Sequence, residues 1–144
     1  VKQMYPGHSN HVGNAVIAST TGHYGLKGVI VVDHDIEADD WDRIWWALST
    51  RFDPKRSAQI IDRGRSTPLD PGLPIEARDI TSRIILDACT PYEWTDKPNE
   101  IFMDRAVLQK VSDRWSEYGF AGTSPVAGMI NRLTRPETKG KSAK

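Results

Sequence analysis

The sequence has little cysteine, no excess charge of either sign and no long apolar run. Its single cysteine, Cys89, excludes an internal disulfide and a cysteine-rich zinc site. Basic and acidic residues number 19 each, so the composition gives no long-range field that would favour nucleic acid or an anionic membrane. No apolar stretch approaches the ~20 residues needed to cross a bilayer. We therefore expect a cytoplasmic protein that binds no nucleic acid and has no membrane span.

What is present is typical of an ordinary folded domain. The length of 144 residues fits one domain, and 38% hydrophobic residues are enough for a core. Residues 8–20 have helical spacing, and Ser9 or Asn10 can cap that helix. Residues 28–33 form a β-branched run without alternation, which predicts a strand buried on both faces.

A second helix is predicted over residues 39–51, with Asp39 or Asp40 as its N-cap. Its apolar positions share one face. On that basis we expect Trp45 to lie in the core, and Trp46 to pack against a loop, another domain or a second subunit.

The alternation of elements predicts the fold class. Further strands are expected at residues 58–62 and 82–90, with a loop rich in proline and glycine between them. Two helices follow, within residues 103–120 and at residues 125–133. The sequence therefore predicts an α/β fold, a mostly parallel sheet of βαβ units flanked by helices, with C-terminal helices. We expect one domain over residues 1–134 and a disordered basic tail over residues 135–144.

Three motifs have structural and functional interpretations. Six acids lie between residues 33 and 42, but Ala38 and Ile44 stand where a calcium loop needs Gly and Glu, so helix capping is favoured. His8 and His11 lie one helical turn apart and could bind a metal or, at the helix start, an anion. The favoured interpretation is that the two histidines are solvated or hydrogen-bonded and have no ligand. Cys89 is expected to be a buried apolar residue.

Five stretches carry a more specific pattern. They are YPGH at residues 5–8, VIVVDHDIEADDWDRIWWALSTRFDP at 29–54, STPLDP at 66–71, LDACTPYEW at 86–94 and VSDRWSEYGF at 111–120. In order and spacing they resemble the C-terminal domain of the UbiD-type decarboxylases. The resemblance covers nearly the whole chain except the tail.

The resemblance implies an activity and cofactors. Enzymes of this family reversibly decarboxylate aromatic or α,β-unsaturated carboxylic acids with prenylated FMN, a divalent metal, usually Mn²⁺, and often K⁺. An N-terminal catalytic portion supplies the catalytic set, the metal ligands and most of the cofactor site. The C-terminal domain forms homo-oligomers and closes over the substrate. We therefore expect no catalytic residue and no metal ligand in this segment, and Val1 to continue a longer assembly.

The resemblance also assigns candidate site residues. Thr67, Pro68 and Leu69 lie in the loop that walls the family's substrate pocket. Lys27 matches a frequent basic position before the acidic strand, which makes it a candidate for the cofactor phosphate. The competing hypothesis is a non-catalytic assembly subunit that keeps the fold and the oligomer surface.

Overall fold

The computed structural model describes residues 1–97 and 100–134. They fall into two compact units, unit 1 within residues 1–97 and unit 2 within residues 98–144. The predicted tail at residues 135–144 lies outside the described residues. The expectation of one domain over residues 1–134 stays a prediction.

A three-stranded sheet forms the centre of unit 1, in the order β1 (Gly28–Val31), β3 (Ile80–Asp87), β2 (Ala58–Arg65). β1 is parallel to β3, whereas β2 is antiparallel to it. The connection from β2 to β3, which the structure describes throughout, contains a short 3₁₀ helix, Ile75–Ala77, and no α-helix. A parallel crossover would usually need an α-helix, so this connection suits an antiparallel pair. The predicted α/β class is confirmed. The antiparallel direction of β2 was not predicted from the alternation of elements.

Helices cover both faces of the sheet, which explains the apolar run of β1. Helix α1 (His8–Ala18) lies on one face, and helix α3 (Trp41–Thr50) on the other. The buried residues on the α1 side are Ile17, Val31, Ile85 and Cys89, and those on the α3 side are Ile36, Ile44, Ala47 and Ala88. The short helices α2 (Gly22–Gly25) and α4 (Pro54–Ser57) precede β1 and β2. The predicted strand is found over Gly28–Val31, shorter than residues 28–33, with Val31 buried on the α1 side and Ile30 partly buried on the α3 side.

The start of α1 differs from the prediction. Gly7, at a φ of 80°, is the N-cap, and no side chain caps this end. Ser9 is already inside the helix and donates its hydroxyl hydrogen to the Asp87 carboxylate at 2.6 Å. The expected cap at Ser9 or Asn10 is therefore wrong, because the left-handed turn at Gly7 begins the helix earlier.

The buried face of α3 also differs from the prediction, although Asp40 caps it as expected by accepting from the Arg43 amide. Ile44 and Ala47 are buried, whereas Trp45 is 63% exposed. The core position predicted for Trp45 is wrong, because the helix turns its Ile44–Ala47 stripe to the sheet. Trp46 packs against that cluster within its own unit, with the guanidinium groups of Arg43 and Arg51 over its ring at 5.3 and 4.9 Å.

Unit 2 contains the two predicted C-terminal helices, α5 (Arg105–Asp113) and α6 (Pro125–Leu133). Asp104 caps α5 by accepting from the amides of Ala106 and Val107, and Ser124 caps α6. The Met103 amide donates to the Leu133 carbonyl at 2.9 Å. Among the helices in the described parts of the chain, none combines the length and the apolar character needed to cross a membrane.

Candidate functional site

A cavity of about 430 Å³ lies in unit 1, at the end of the sheet where β1 and β3 begin and β2 ends. Two segments form its walls. The first wall is residues 24–27, from the end of α2 to the start of β1, and the second wall is residues 65–72, from the last residue of β2 into the loop that follows. Thr81 of β3 also lines the space. Because β2 is antiparallel to its neighbour, the loop that follows it meets the segment that precedes β1.

An ion pair joins the two walls across the cavity. The Lys27 ammonium lies 2.8 Å from an Asp70 carboxylate oxygen, with Lys27 half exposed and Asp70 buried. Asp70 also accepts from the Gly72 amide at 2.9 Å and the Ser66 hydroxyl at 3.3 Å. The hydrogen bond from Lys27, followed by that from Gly72, lowers the pKa of Asp70. The carboxylate is thus held ionised, and the charge of Lys27 is balanced within the protein.

The structure brings most of the sequence-predicted pocket residues to this cavity. Lys27, Thr67 and Leu69 all line it, and Leu69 is 84% exposed. The Thr67 hydroxyl accepts from the Leu69 amide at 3.3 Å, which fixes the bend of the loop. Pro68 is not among the lining residues, and its carbonyl accepts from Arg78 at 3.0 Å. Pro68 therefore holds the loop while its neighbours face the space.

Three lining residues that sequence reasoning did not assign to the cavity make contacts between its walls. Asp70 was inside the quoted STPLDP motif but was not paired with Lys27. Arg65 and Tyr24 come from opposite walls, and the Arg65 guanidinium lies 5.0 Å above the Tyr24 ring. No local pattern links residues 41 positions apart, so only the strand pairing could have brought this pair together.

The opposite end of the sheet is closed by a polar network. The Asp33 carboxylate accepts from the Thr90 amide at 2.7 Å, from Gln3 at 2.9 Å and from Arg51 at 3.2 Å. Arg51 also donates to Asp35 at 2.6 Å. Burial raises the pKa of Asp35, but the hydrogen bond and charge of Arg51 outweigh that effect, so its pKa is lowered. These acids are therefore tied to Arg51, and Asp40 is the acid that caps α3.

The remaining candidates are engaged in local contacts. The His8 ring accepts from the Met4 amide at 3.1 Å, and the Tyr5 hydroxyl lies 3.0 Å from Nδ1 of His11. Cys89 is buried, and burial, together with Asp33 and Asp87, raises the pKa of its thiol. Each histidine is thus hydrogen-bonded to a neighbouring residue, and the prediction that Cys89 is buried is confirmed.

The described residues do not form a cofactor or metal centre by themselves. Among residues 1–97 and 100–134, no group of three His, Cys, Asp or Glu side chains is placed to hold a metal ion. Lys27 is the one side chain assigned to a cofactor phosphate, and its ammonium already pairs with Asp70. The ammonium is half exposed and can still reach a ligand, but Asp70 balances its charge, so this lysine does not by itself form a phosphate site.

The fold is an α/β domain whose cavity is lined by a loop after β2 and by the residues that lead into β1. A sequence model of the 3-octaprenyl-4-hydroxybenzoate carboxy-lyase C-terminal domain matches residues 1–88. The chain belongs to this UbiD family of carboxy-lyases.

Solved structures agree with this assignment. The vanillic acid decarboxylase of Sedimentibacter hydroxybenzoicus in closed form is 27% identical, with a TM-score of 0.61 over 82% of this chain and 24% of that chain. The 3,4-dihydroxybenzoic acid decarboxylase of Klebsiella pneumoniae is 26% identical, with a TM-score of 0.54 over 76% of this chain and 25% of that chain.

A third structure shows the same fold at lower identity. The UbiD-class enzyme HmfF of Pelotomaculum thermopropionicum, solved in complex with FMN, is 24% identical, with a TM-score of 0.60 over 82% of this chain and 24% of that chain. The present chain spans about a quarter of the length of each of these three chains.

Proposed function

We propose that this chain is the C-terminal part of a UbiD-type enzyme that reversibly decarboxylates an aromatic or α,β-unsaturated carboxylic acid. The family assignment supports this, as do the matched structures, two of which are named as decarboxylases of aromatic acids. Prenylated FMN, Mn²⁺ and possibly K⁺ would be held mainly by an N-terminal catalytic portion outside this chain. The single buried thiol of Cys89 supports a cytoplasmic location.

The observation that carries the proposal is the cavity, in which Lys27, Thr67 and Leu69 meet. The resemblance in sequence points to the same three residues independently of the fold. Thr67 and Leu69 cannot transfer a proton at neutral pH, so their role is to shape the pocket and to exclude water from it. The exposed Leu69 supplies an apolar surface for an aromatic ring.

A co-purification experiment tests the proposal. The tagged chain is recovered from its source cells, and the material is examined by intact mass and by its absorbance spectrum. We expect a larger polypeptide and flavin absorbance to accompany the chain. The isolated 144 residues, given prenylated FMN and Mn²⁺, should release no carbon dioxide. Turnover by the isolated chain would overturn the division of labour proposed here.

A non-catalytic assembly subunit is the second candidate. The exposed Trp41 and Trp45, one turn apart on α3, favour it because aromatic side chains are common at protein interfaces. The same surface would serve a homo-oligomer of the first candidate. Recovery of a lone, colourless dimer would favour the assembly subunit over the decarboxylase part.

A further inference from the structure

Arg83 is a buried cation in the middle of the central strand. Only 5% of the residue is exposed, and its hydrogen-bond acceptors in the described residues are all backbone carbonyls. Its Nε atom is buried without a partner in the described part of the chain. Burying a guanidinium without a carboxylate is costly, because carbonyl dipoles compensate the charge only in part. A buried arginine of this kind therefore suggests a positional role.

The carbonyls that Arg83 binds lie at the bases of both cavity walls. One terminal nitrogen donates to the carbonyls of Ile17 and Gly22, at 3.3 and 3.2 Å. The other donates to the carbonyls of His23 and Arg65. His23 directly precedes the first wall, and Arg65 is the first residue of the second wall. One planar group therefore fixes the start of both walls.

The local backbone makes room for this arrangement. The pairing of β2 with β3 is irregular between Ile61 and Gly64, and Arg63 there has a φ of 59°. A Cβ on Gly64 would lie 2.8 Å from Nε of Arg83 and 3.2 Å from its Cδ. A side chain at residue 64 would therefore force the side chain of Arg83 to shift.

We propose that Arg83 is the positioning residue of the cavity, holding its two walls in register by binding the carbonyls of His23 and Arg65 with one guanidinium group. Arg83 is not among the residues that line the cavity, so it acts through the walls. The consequence for substrate selection rests on the proposed function. The register of the walls can be measured without any substrate.

The Lys27–Asp70 pair is a built-in reporter, because it joins one wall to the other. The measurement is the pKa of the Asp70 carboxyl, obtained by carbon-13 NMR titration of the intact chain. The Lys27→Met variant gives the pKa of Asp70 in the absence of its lysine partner. In Arg83→Met, which keeps the apolar stem, we expect the pKa of Asp70 to rise towards the Lys27→Met value as the walls separate. Arg83→Lys keeps the charge but loses the planar guanidinium with its several donors. Its Asp70 pKa should lie between the value in Arg83→Met and the value in the unchanged chain.

Arg56→Met is the matched control. It removes one positive charge from unit 1 at an exposed residue whose guanidinium donates to the Arg51 carbonyl, away from both walls. An Asp70 pKa in Arg83→Met equal to that in Arg56→Met, with the amide spectrum of the sheet intact, would overturn the proposal. Should Arg83→Met fail to fold, Arg83→Lys decides: a raised Asp70 pKa supports the positioning role, and an unchanged one contradicts it. Neither outcome depends on decarboxylation, so a failure here is distinct from a failure of the proposed function.

Discussion

The two ends of the sheet in unit 1 are built in opposite ways. Where β1 and β3 end, the carboxylates of Asp33 and Asp35 are tied to Arg51, and the space is filled. Where they begin, a cavity lies between the two walls, and the Lys27–Asp70 ion pair links one wall to the other. Open α/β sheets commonly bind ligands beyond the carboxyl ends of their strands. Here a buried network occupies that end, and the opposite end is open.

The difference teaches that an acid-rich strand end is not in itself a binding site. Arg51 is 11% exposed and Asp33 13%, so their charges are largely removed from water and satisfied by each other. Lys27 is 53% exposed and can still interact with a ligand. Stability should therefore depend on the closed end and ligand selection on the open end.

The largest expected effect is from Arg51→Met at the closed end. The change removes the donor shared by Asp33 and Asp35 and leaves the Asp33 carboxylate in a poorly solvated site. We expect a loss of about 3 kcal/mol in the free energy of unfolding, at the low end for breaking a buried ion pair. Urea titration followed by circular dichroism measures it.

Arg114→Met is the control for that experiment, because Arg114 and Glu117 form an exposed ion pair in unit 2. It should cost less than about 0.5 kcal/mol. Equal losses in the two variants would mean that the closed end carries no special share of the stability.

A smaller effect is expected on acidification. The pKa of Asp35 is lower in the folded chain than in the unfolded chain, so its contribution is present at neutral pH and is lost as the pH falls through the folded-state value. Between pH 7 and about pH 3, the melting temperature of the unchanged chain should fall more steeply than that of Asp35→Asn. Parallel curves for the two proteins would remove Asp35 from the acid response.

The smallest effect on stability is expected from Leu69→Ala at the open end. Leu69 is 84% exposed, so the free energy of unfolding should change by no more than about 0.5 kcal/mol. In the complete enzyme, the same change should alter the discrimination between small and large aromatic acids, measured as the ratio of their kcat/KM values. The change should correspond to about 1–3 kcal/mol. An unchanged substrate profile would exclude Leu69 from the pocket surface. A large loss of stability would contradict the expectation that stability depends mainly on the closed end.

Much of the fold follows from local patterns in the sequence. The β-branched run at residues 28–33, the Asp40 cap and the helix at Pro125–Leu133 are each determined by neighbouring residues. The face of α3 could not be predicted in the same way, because Ile44 and Trp45 both extend its apolar stripe. The sheet selects the smaller side chains, Ile44 and Ala47, and leaves Trp45 exposed.

The site was predictable only where the resemblance supplied residues. Thr67 and Leu69 came from a matched motif and Lys27 from a basic position before another, and these three line the cavity, whereas Pro68 does not. Arg83 gave one local signal, a charge directly before the apolar run at residues 84–86, but its carbonyl partners lie up to 66 positions away in the chain. The direction of β2 had no local signal. A parallel β2 would carry the loop after it to the other end of the sheet, about 26 Å away for a strand of eight residues.

The central place of β3 in the sheet also has a kinetic consequence. β2 reaches β3 through one loop, whereas β1 must find β3 across residues 32–79, a non-local pairing that forms slowly. We expect the β2–β3 hairpin to be the earlier folding event and β1, with Lys27, to dock afterwards. The amides of Ile84 and Ala88 donate to the carbonyls of Lys27 and Val31, so they report that docking. In pulse-labelling hydrogen exchange they should gain protection after the hairpin amides do; simultaneous protection would mean that the sheet assembles in one step.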